Sequence, residues 1–178
     1  MNKDNECLAP LPPSQWPEEL DSIRQSLGVP LNIHKIMAHH AGLTRAWMPF
    51  RNHIVANSSL EPTHRELLIL RTAVNCDVAY EWEHHVARGR KAGLSDAEIQ
   101  RVKQGHDSPH WRLAERLLLL AADECYRDSK IGDLCLEGLG SHFNKCQQLD
   151  IIATVGMYMT LATIIKTYKV PMEDLISS

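Results

Sequence analysis

Paired cysteine is missing from this 178-residue chain. Its five cysteines, Cys7, Cys76, Cys125, Cys135 and Cys146, are odd in number and nowhere form C-x-x-C. That excludes a zinc ribbon and a local dithiol redox motif, and it argues against a disulfide framework. An excess of positive charge is missing too: the net charge is −3 and the isoelectric point near 6.3. No nucleic-acid partner and no polybasic membrane patch are therefore expected. No apolar run reaches the roughly 18 charge-free residues of a membrane span, and Met1–Glu6 is too charged for a signal peptide. These absences predict a cytoplasmic protein with no membrane partner. Period-2 alternation between hairpin turns is also lacking, so strands are not expected. There is no low-complexity segment and no long internal linker. Residues 1–16, with Pro10, Pro12 and Pro13, are read as an extended N-terminal arm, and 17–178 as a single domain.

What is present is helical punctuation. Ser14–Pro17 opens a first helix that Gly28 ends. A second helix is expected over about Ile33–His40, and a third over Leu43–Ala56 with a bend at Pro49. Pro62 starts a fourth, carrying Leu67, Leu68, Leu70, Ala73 and Val74, and Val78–Ala92 forms a fifth, stopped by Gly93. Ser95-Asp96-Ala97-Glu98 is a capping box for a sixth. Ser108-Pro109 caps a seventh over Trp111–Tyr126, and an eighth covers Gly132–Leu139. The ninth, Gln147–Tyr168, is apolar on almost every face, which requires a core or an oligomer interface around it. The fold class is all-α.

Chemistry concentrates at Tyr80-Glu81-Trp82-Glu83-His84-His85. On a helix, Glu81 and His85 share a stripe, Tyr80 lies beside His84, and Trp82 turns away toward Val86. Glu66 precedes His85 by 19 residues and comes alongside if the two helices fold back through Asn75-Cys76-Asp77. A neutral histidine backed by a carboxylate has a fixed tautomer and raised basicity, which suits general acid–base work. The tyrosine could serve a developing oxyanion. The ordinary alternative is a surface ion pair worth a few tenths of a kcal/mol. A metal is a weaker reading. Glu81–His84 has E-x-x-H spacing, but its only counterpart, Glu61–His64, is interrupted by Pro62, and H-E-x-x-H is absent. Trp47, Phe50 and His53 could line the same pocket, as could His39 and His40. His106 and His110 flank a turn and are expected in solvent. Cys76 is either a nucleophile or a small apolar residue at the helix junction, and the second reading is favoured.

Arg65-Glu66-Leu67, Cys76, Tyr80-Glu81-Trp82, His85 and Gly93-Leu94-Ser95-Asp96-Ala97-Glu98-Ile99 resemble the carboxymuconolactone decarboxylase family, which shares the AhpD-like fold with alkylhydroperoxidases. Pro30–Ile33, Arg45–Phe50 and Gly156–Tyr158 extend the resemblance over most of the chain. It implies an AhpD-like helical fold with a central antiparallel helix hairpin, no cofactor, and a homo-oligomer, trimeric or hexameric. The peroxidase branch places its C-x-x-C where this chain has Val78 and Glu81, so the resemblance keeps the Glu66–His85 pair without the dithiol. The decarboxylase branch implies a small organic acid or lactone as substrate. Glu66, His85, Tyr80 and Glu81 would then be catalytic, and Cys76, His84, Trp47, Phe50 and His53 would bind substrate. Glu81 would repel an acid unless protonated or tied to Arg71 or His84. Two other readings stay open: a thiol peroxidase using Cys76 with Cys125 or Cys146, and a non-catalytic binding or assembly protein.

Overall fold

The computed structural model describes residues 8–173. Among the described residues nine α-helices follow one another: α1 Asp21–Leu27, α2 Asn32–Met37, α3 Ala41–Ala56, α4 Pro62–Asn75, α5 Ala79–Ala92, α6 Asp96–Val102, α7 Leu113–Asp128, α8 Asp133–Gly140 and α9 Lys145–Tyr168. No strand occurs among the described residues.

The central element is α4. Its run Leu67-Leu68-Ile69-Leu70 projects in every direction around the helix, and each direction is filled. Leu67 and Leu70 pack with Leu94, Ile99, Val102 and Trp111. Leu68 belongs to the cluster that holds Leu118 of α7 and Ile151 and Val155 of α9. Ile69 belongs to the cluster that holds Val78, Met157, Tyr158 and Ile165. Each such side chain is worth about 1.5–3 kcal/mol when fully buried. One helix thus organises three parts of the core, with α5, α7 and α9 around it.

Several boundaries shift from the sequence expectation. Pro17 holds extended backbone, so Pro13–Gln15 and Glu18–Leu20 are tight 3-10 turns and α1 begins only at Asp21. Helix α3 runs through Pro49 without interruption. The start of α7 belongs to Arg112, whose backbone N–H is held by Glu115, and not to Ser108. The Ser95 box opens α6 as its spacing predicts, and Gly93 closes α5 in the left-handed region at φ 110°. Within the arm, Trp16 is buried and its Nε1 donates to the Leu11 carbonyl. The arm's residues 1–7 lie outside the described residues. By length and composition α9 is apolar enough to cross a membrane, with mean hydropathy 1.5, and half of that window is buried inside the protein. Leu149 and Ile152 remain exposed on its outer side.

Candidate active site

The fourth and fifth helices reverse over three residues. Asp77 takes φ 52°, and Val78 N–H bonds back to the Ala73 carbonyl. Folding α5 against α4 lays His85 beside Glu66. Both are buried, at 1% and 3% exposure. Nδ1 of His85 lies 2.7 Å from Oε2 of Glu66, and Arg65 Nε stands 3.6 Å from the other oxygen. The Tyr158 ring stands perpendicular to the imidazole, with ring centroids 5.0 Å apart.

The far nitrogen decides the protonation state. Nη1 of Arg88 lies 2.8 Å from His85 Nε2. A guanidinium only donates, so Nε2 accepts, and His85 is the neutral tautomer with its proton on Nδ1 toward Glu66. Burial lowers the pKa of this imidazole from its ordinary value, with the Glu66 hydrogen bond pulling the other way. Glu81, one turn before His85, has Oε2 3.6 Å from the same Nε2. Burial pushes Glu81 up to about 7, against the field of Arg88. A histidine held neutral and a carboxyl that keeps its proton up to about pH 7 therefore stand together, which is an acid–base assignment made by environment.

Two cavities meet at this pair. The smaller, about 40 Å³, is walled by His34, Trp47, Arg51, Glu81, His84 and Tyr80 among others. It has room for a few waters but not for an organic substrate. The larger, about 330 Å³, is walled by Val55, Pro62, Arg65, Glu66, Ile69, Lys91 and Ala92, a volume in the range of small-molecule sites. His85, Arg88, Val55 and Tyr158 belong to both walls. His34 Nδ1 accepts from Leu31 N–H. Burial, with Arg51 and Arg88 nearby, takes its pKa down to about 4, so it faces the small cavity uncharged.

Tyr80 and His84 are turned to a different acid. The Tyr80 hydroxyl donates to Glu173 Oε1 and accepts from Ile33 N–H. His84 Nε2 donates to Glu173 Oε2 at 2.6 Å. Asn32 N–H completes the carboxylate's set at 2.6 Å. Burial and this hydrogen bond push the Tyr80 phenol up. The pair lines the small cavity, but its polar atoms are occupied by the residues that follow α9.

Of the other residues singled out in the sequence, Trp47 lines the small cavity, whereas Cys76, Phe50 and His53 line neither. Phe50 lies on the exposed side of α3, edge-to-face with Trp47. His53 bonds Asp150 at 2.7 Å. Cys76 packs at the helix junction, where burial raises its thiol pKa, and Cys125 packs in a different part of the core. His39 and His40 are exposed; His40 caps α3 through Leu43 N–H. His106 is not in open solvent: its Nδ1 bonds Asp123 at 2.7 Å. Arg71 also goes to Asp123, and His84 to Glu173, so neither ties down Glu81. Among the described residues no group of three His, Cys, Asp or Glu side chains is placed to hold a metal. Sequence reasoning missed Arg88, although it follows His85 by three residues on the same helical face. It also missed His34, Arg51 and Tyr158, which carry no local signal because they come from other helices.

The raised Glu81 pKa has a stability consequence. Because the folded state holds this proton more tightly than the unfolded chain, the group costs stability as pH rises from the ordinary carboxyl range through about 7. Glu81→Gln removes that cost. Urea denaturation should find the variant equal to wild type near pH 4 and more stable by about 3 kcal/mol near pH 8. An unchanged difference between the two pH values would show that Glu81 ionises freely in the folded protein.

The sequence model of the carboxymuconolactone decarboxylase family matches residues 41–124. No curated protein sequence matches the chain at a significant level. Among solved structures, an uncharacterized peroxidase-related protein from Silicibacter sp. TM1040 superposes with a TM-score of 0.79 at 20% identity, covering 97% of this chain and 95% of that one. The debrominase Bmp8 in complex with 2,3,4-tribromopyrrole gives 0.79 at 16% identity, covering 97% and 94%. An alkylhydroperoxidase AhpD core protein from Ralstonia eutropha JMP134, also described as peroxidase-related, gives 0.78 at 17%, covering 94% and 93%. At these identities the likeness establishes the all-helical AhpD-like fold and no more.

Proposed function

Residues 41–124 belong to the carboxymuconolactone decarboxylase family, and on that premise we propose that the protein is a cofactor-free enzyme doing acid–base chemistry on a small organic acid or lactone. The observation that carries this is the buried chain Glu66–His85 with Glu81 at the imidazole's far nitrogen. Glu66 fixes the tautomer. Nε2 of His85 is the base that takes a proton from carbon, or, once charged, the acid that returns one. Glu81 shares that proton on the water-sized side. In a decarboxylation the C–C bond breaks with its electron pair passing into the neighbouring carbonyl, CO₂ leaves, and the enolate carbon takes its proton from Glu81, or from Nε2 of His85 once that nitrogen has been protonated. The surrounding guanidinium charge favours the developing oxyanion.

A thiol peroxidase is the weaker reading. Val78 and Glu81 hold no sulfur at the positions where the resemblance places the dithiol, and Cys76 is a raised, buried thiol. The test is proton NMR in D₂O on a panel of small carboxylic acids and lactones, without added metal, nucleotide, flavin or thiol. Deuterium incorporation at carbon or loss of CO₂ is expected. Peroxide reduction that disappears in Cys76→Ser, with no turnover across the panel, would sink the proposal.

A further inference from the structure

The larger cavity combines an apolar floor with an uneven charge. Val55, Ile69 and Tyr158 form the floor, while Arg65, Arg88 and Lys91 bring three cations against the single carboxylate of Glu66. That carboxylate is already engaged by His85 and Arg65. Among the described residues no ion pair forms to Arg88 or Lys91; the one hydrogen bond of Arg88 goes to a neutral imidazole nitrogen. Glu81 feels the field of Arg88 but lines only the smaller cavity, so on the side of the larger one the guanidinium is spent on a neutral acceptor and is free to meet an anion. Its position has a second effect. The hydrogen bond that parks Arg88 also occupies the lone pair that His85 needs as a base.

Taking the acid substrate of the proposed function, we propose that its carboxylate, bound in the larger cavity, draws Arg88 off Nε2 of His85 and so exposes the base. Recognition and activation are then one event. A neutral molecule of the same shape fills the cavity but leaves the arginine on the imidazole, and the base stays blocked. Arg88 is a positioning residue in this scheme: it touches the substrate's charge and controls the catalytic nitrogen without exchanging a proton. Arg65 and Lys91 add to the field at the cavity wall but do not touch Nε2. This rests on the proposed function, both on its acid substrate and on its reading of His85 as the base.

Benzoate and benzamide form a matched pair of probes, equal in shape and different in charge. Calorimetry on the full chain should show benzoate binding at least about tenfold more tightly than benzamide, and Arg88→Gln should remove that preference. With ¹⁵N-labelled histidine, benzoate should move the His85 Nε2 resonance to that of a free lone pair, and benzamide should not. Arg88→Gln should show the free position with no probe present. Lys91→Ala, on the exposed rim, should weaken benzoate while leaving the unliganded Nε2 resonance in place, which separates charge from gating. Equal binding of the two probes overturns the carboxylate site. Tight benzoate binding with an unmoved Nε2 signal overturns the gate. If both hold while His85→Ala still turns over an accepted substrate, the acid–base proposal fails, exposure of a base fails with it, and only anion binding with displacement of Arg88 stands.

Discussion

Replacing His85 with alanine should lower turnover of any accepted acid or lactone by roughly 10²–10⁴-fold, the usual worth of a positioned general base. Glu66→Gln should cost less, because an amide oxygen can still accept from Nδ1 and hold the tautomer, while the charge that supports the imidazolium is gone. Alanine at 85 also strands the buried Glu66 carboxylate, so His85→Asn, which keeps an N–H near it, is the companion variant, with circular dichroism confirming the fold. The pH profile carries the sign of both environments. Base action needs neutral His85, whose pKa is lowered by burial, so the rate should rise through a value below that of an ordinary imidazole. Acid action needs protonated Glu81, so the rate should fall above about 7. Glu81→Gln should abolish the upper limb and leave the lower one. Retained turnover in both His85 variants would remove the histidine from the mechanism.

Asp123→Ala should be among the most destabilising polar substitutions in the chain, at about 3 to 5 kcal/mol. This carboxylate, on α7, accepts from Arg71 Nε and Asn75 Nδ2 of α4 and from His106 Nδ1 of the α6–α7 connection. Arg71 also reaches the Val102 carbonyl, and it passes so close to Gly105 that a Cβ there would meet its Nη2 at 2.9 Å. Burial pushes the Asp123 pKa up, but the three hydrogen bonds outweigh it and hold the carboxyl below its usual value. Its stabilisation is therefore complete above the unfolded carboxyl pKa and is lost as pH falls through the depressed folded value. Alanine leaves the mostly buried Arg71 cation without its partner. Urea denaturation at about pH 7 should show the full loss, and the gap from wild type should narrow in acid. A loss under about 1 kcal/mol would mean that water replaces the carboxylate at Arg71.

Local chemistry was enough to place most helices. The S-x-x-E box, Pro62 at a helix start and Gly93 at a helix end act over a few residues, and tertiary contacts did not override them. The errors fell where a longer-range contact competed. Arg112 displaced Ser108 as the start of α7 because Glu115 reached back to its N–H. His106 left solvent because α7 brought Asp123 to it. Phe50 and His53 faced outward because α3 spends other residues, Met48 and Ile54, on the core.

The sequence by itself determined the all-helical architecture, the i,i+4 stripe of Glu81 and His85, and the lack of sulfur at Val78 and Glu81, since each depends only on residue type and helical spacing. The Glu66–His85 pairing was legible one step further out, through the short reversal at Cys76 and Asp77. Only the tertiary structure decided what that pair can do. Burial moves the proton affinities of His85 and Glu81 in opposite directions, His85 down and Glu81 up, and desolvation is a property of everything packed around a group, not of its neighbours in the chain. The placement of Arg51, His34 and Tyr158 around one wall, and of Arg65 and Lys91 around the other, likewise comes from helices meeting through their apolar faces. Those contacts set distances between polar groups that no spacing in the sequence encodes.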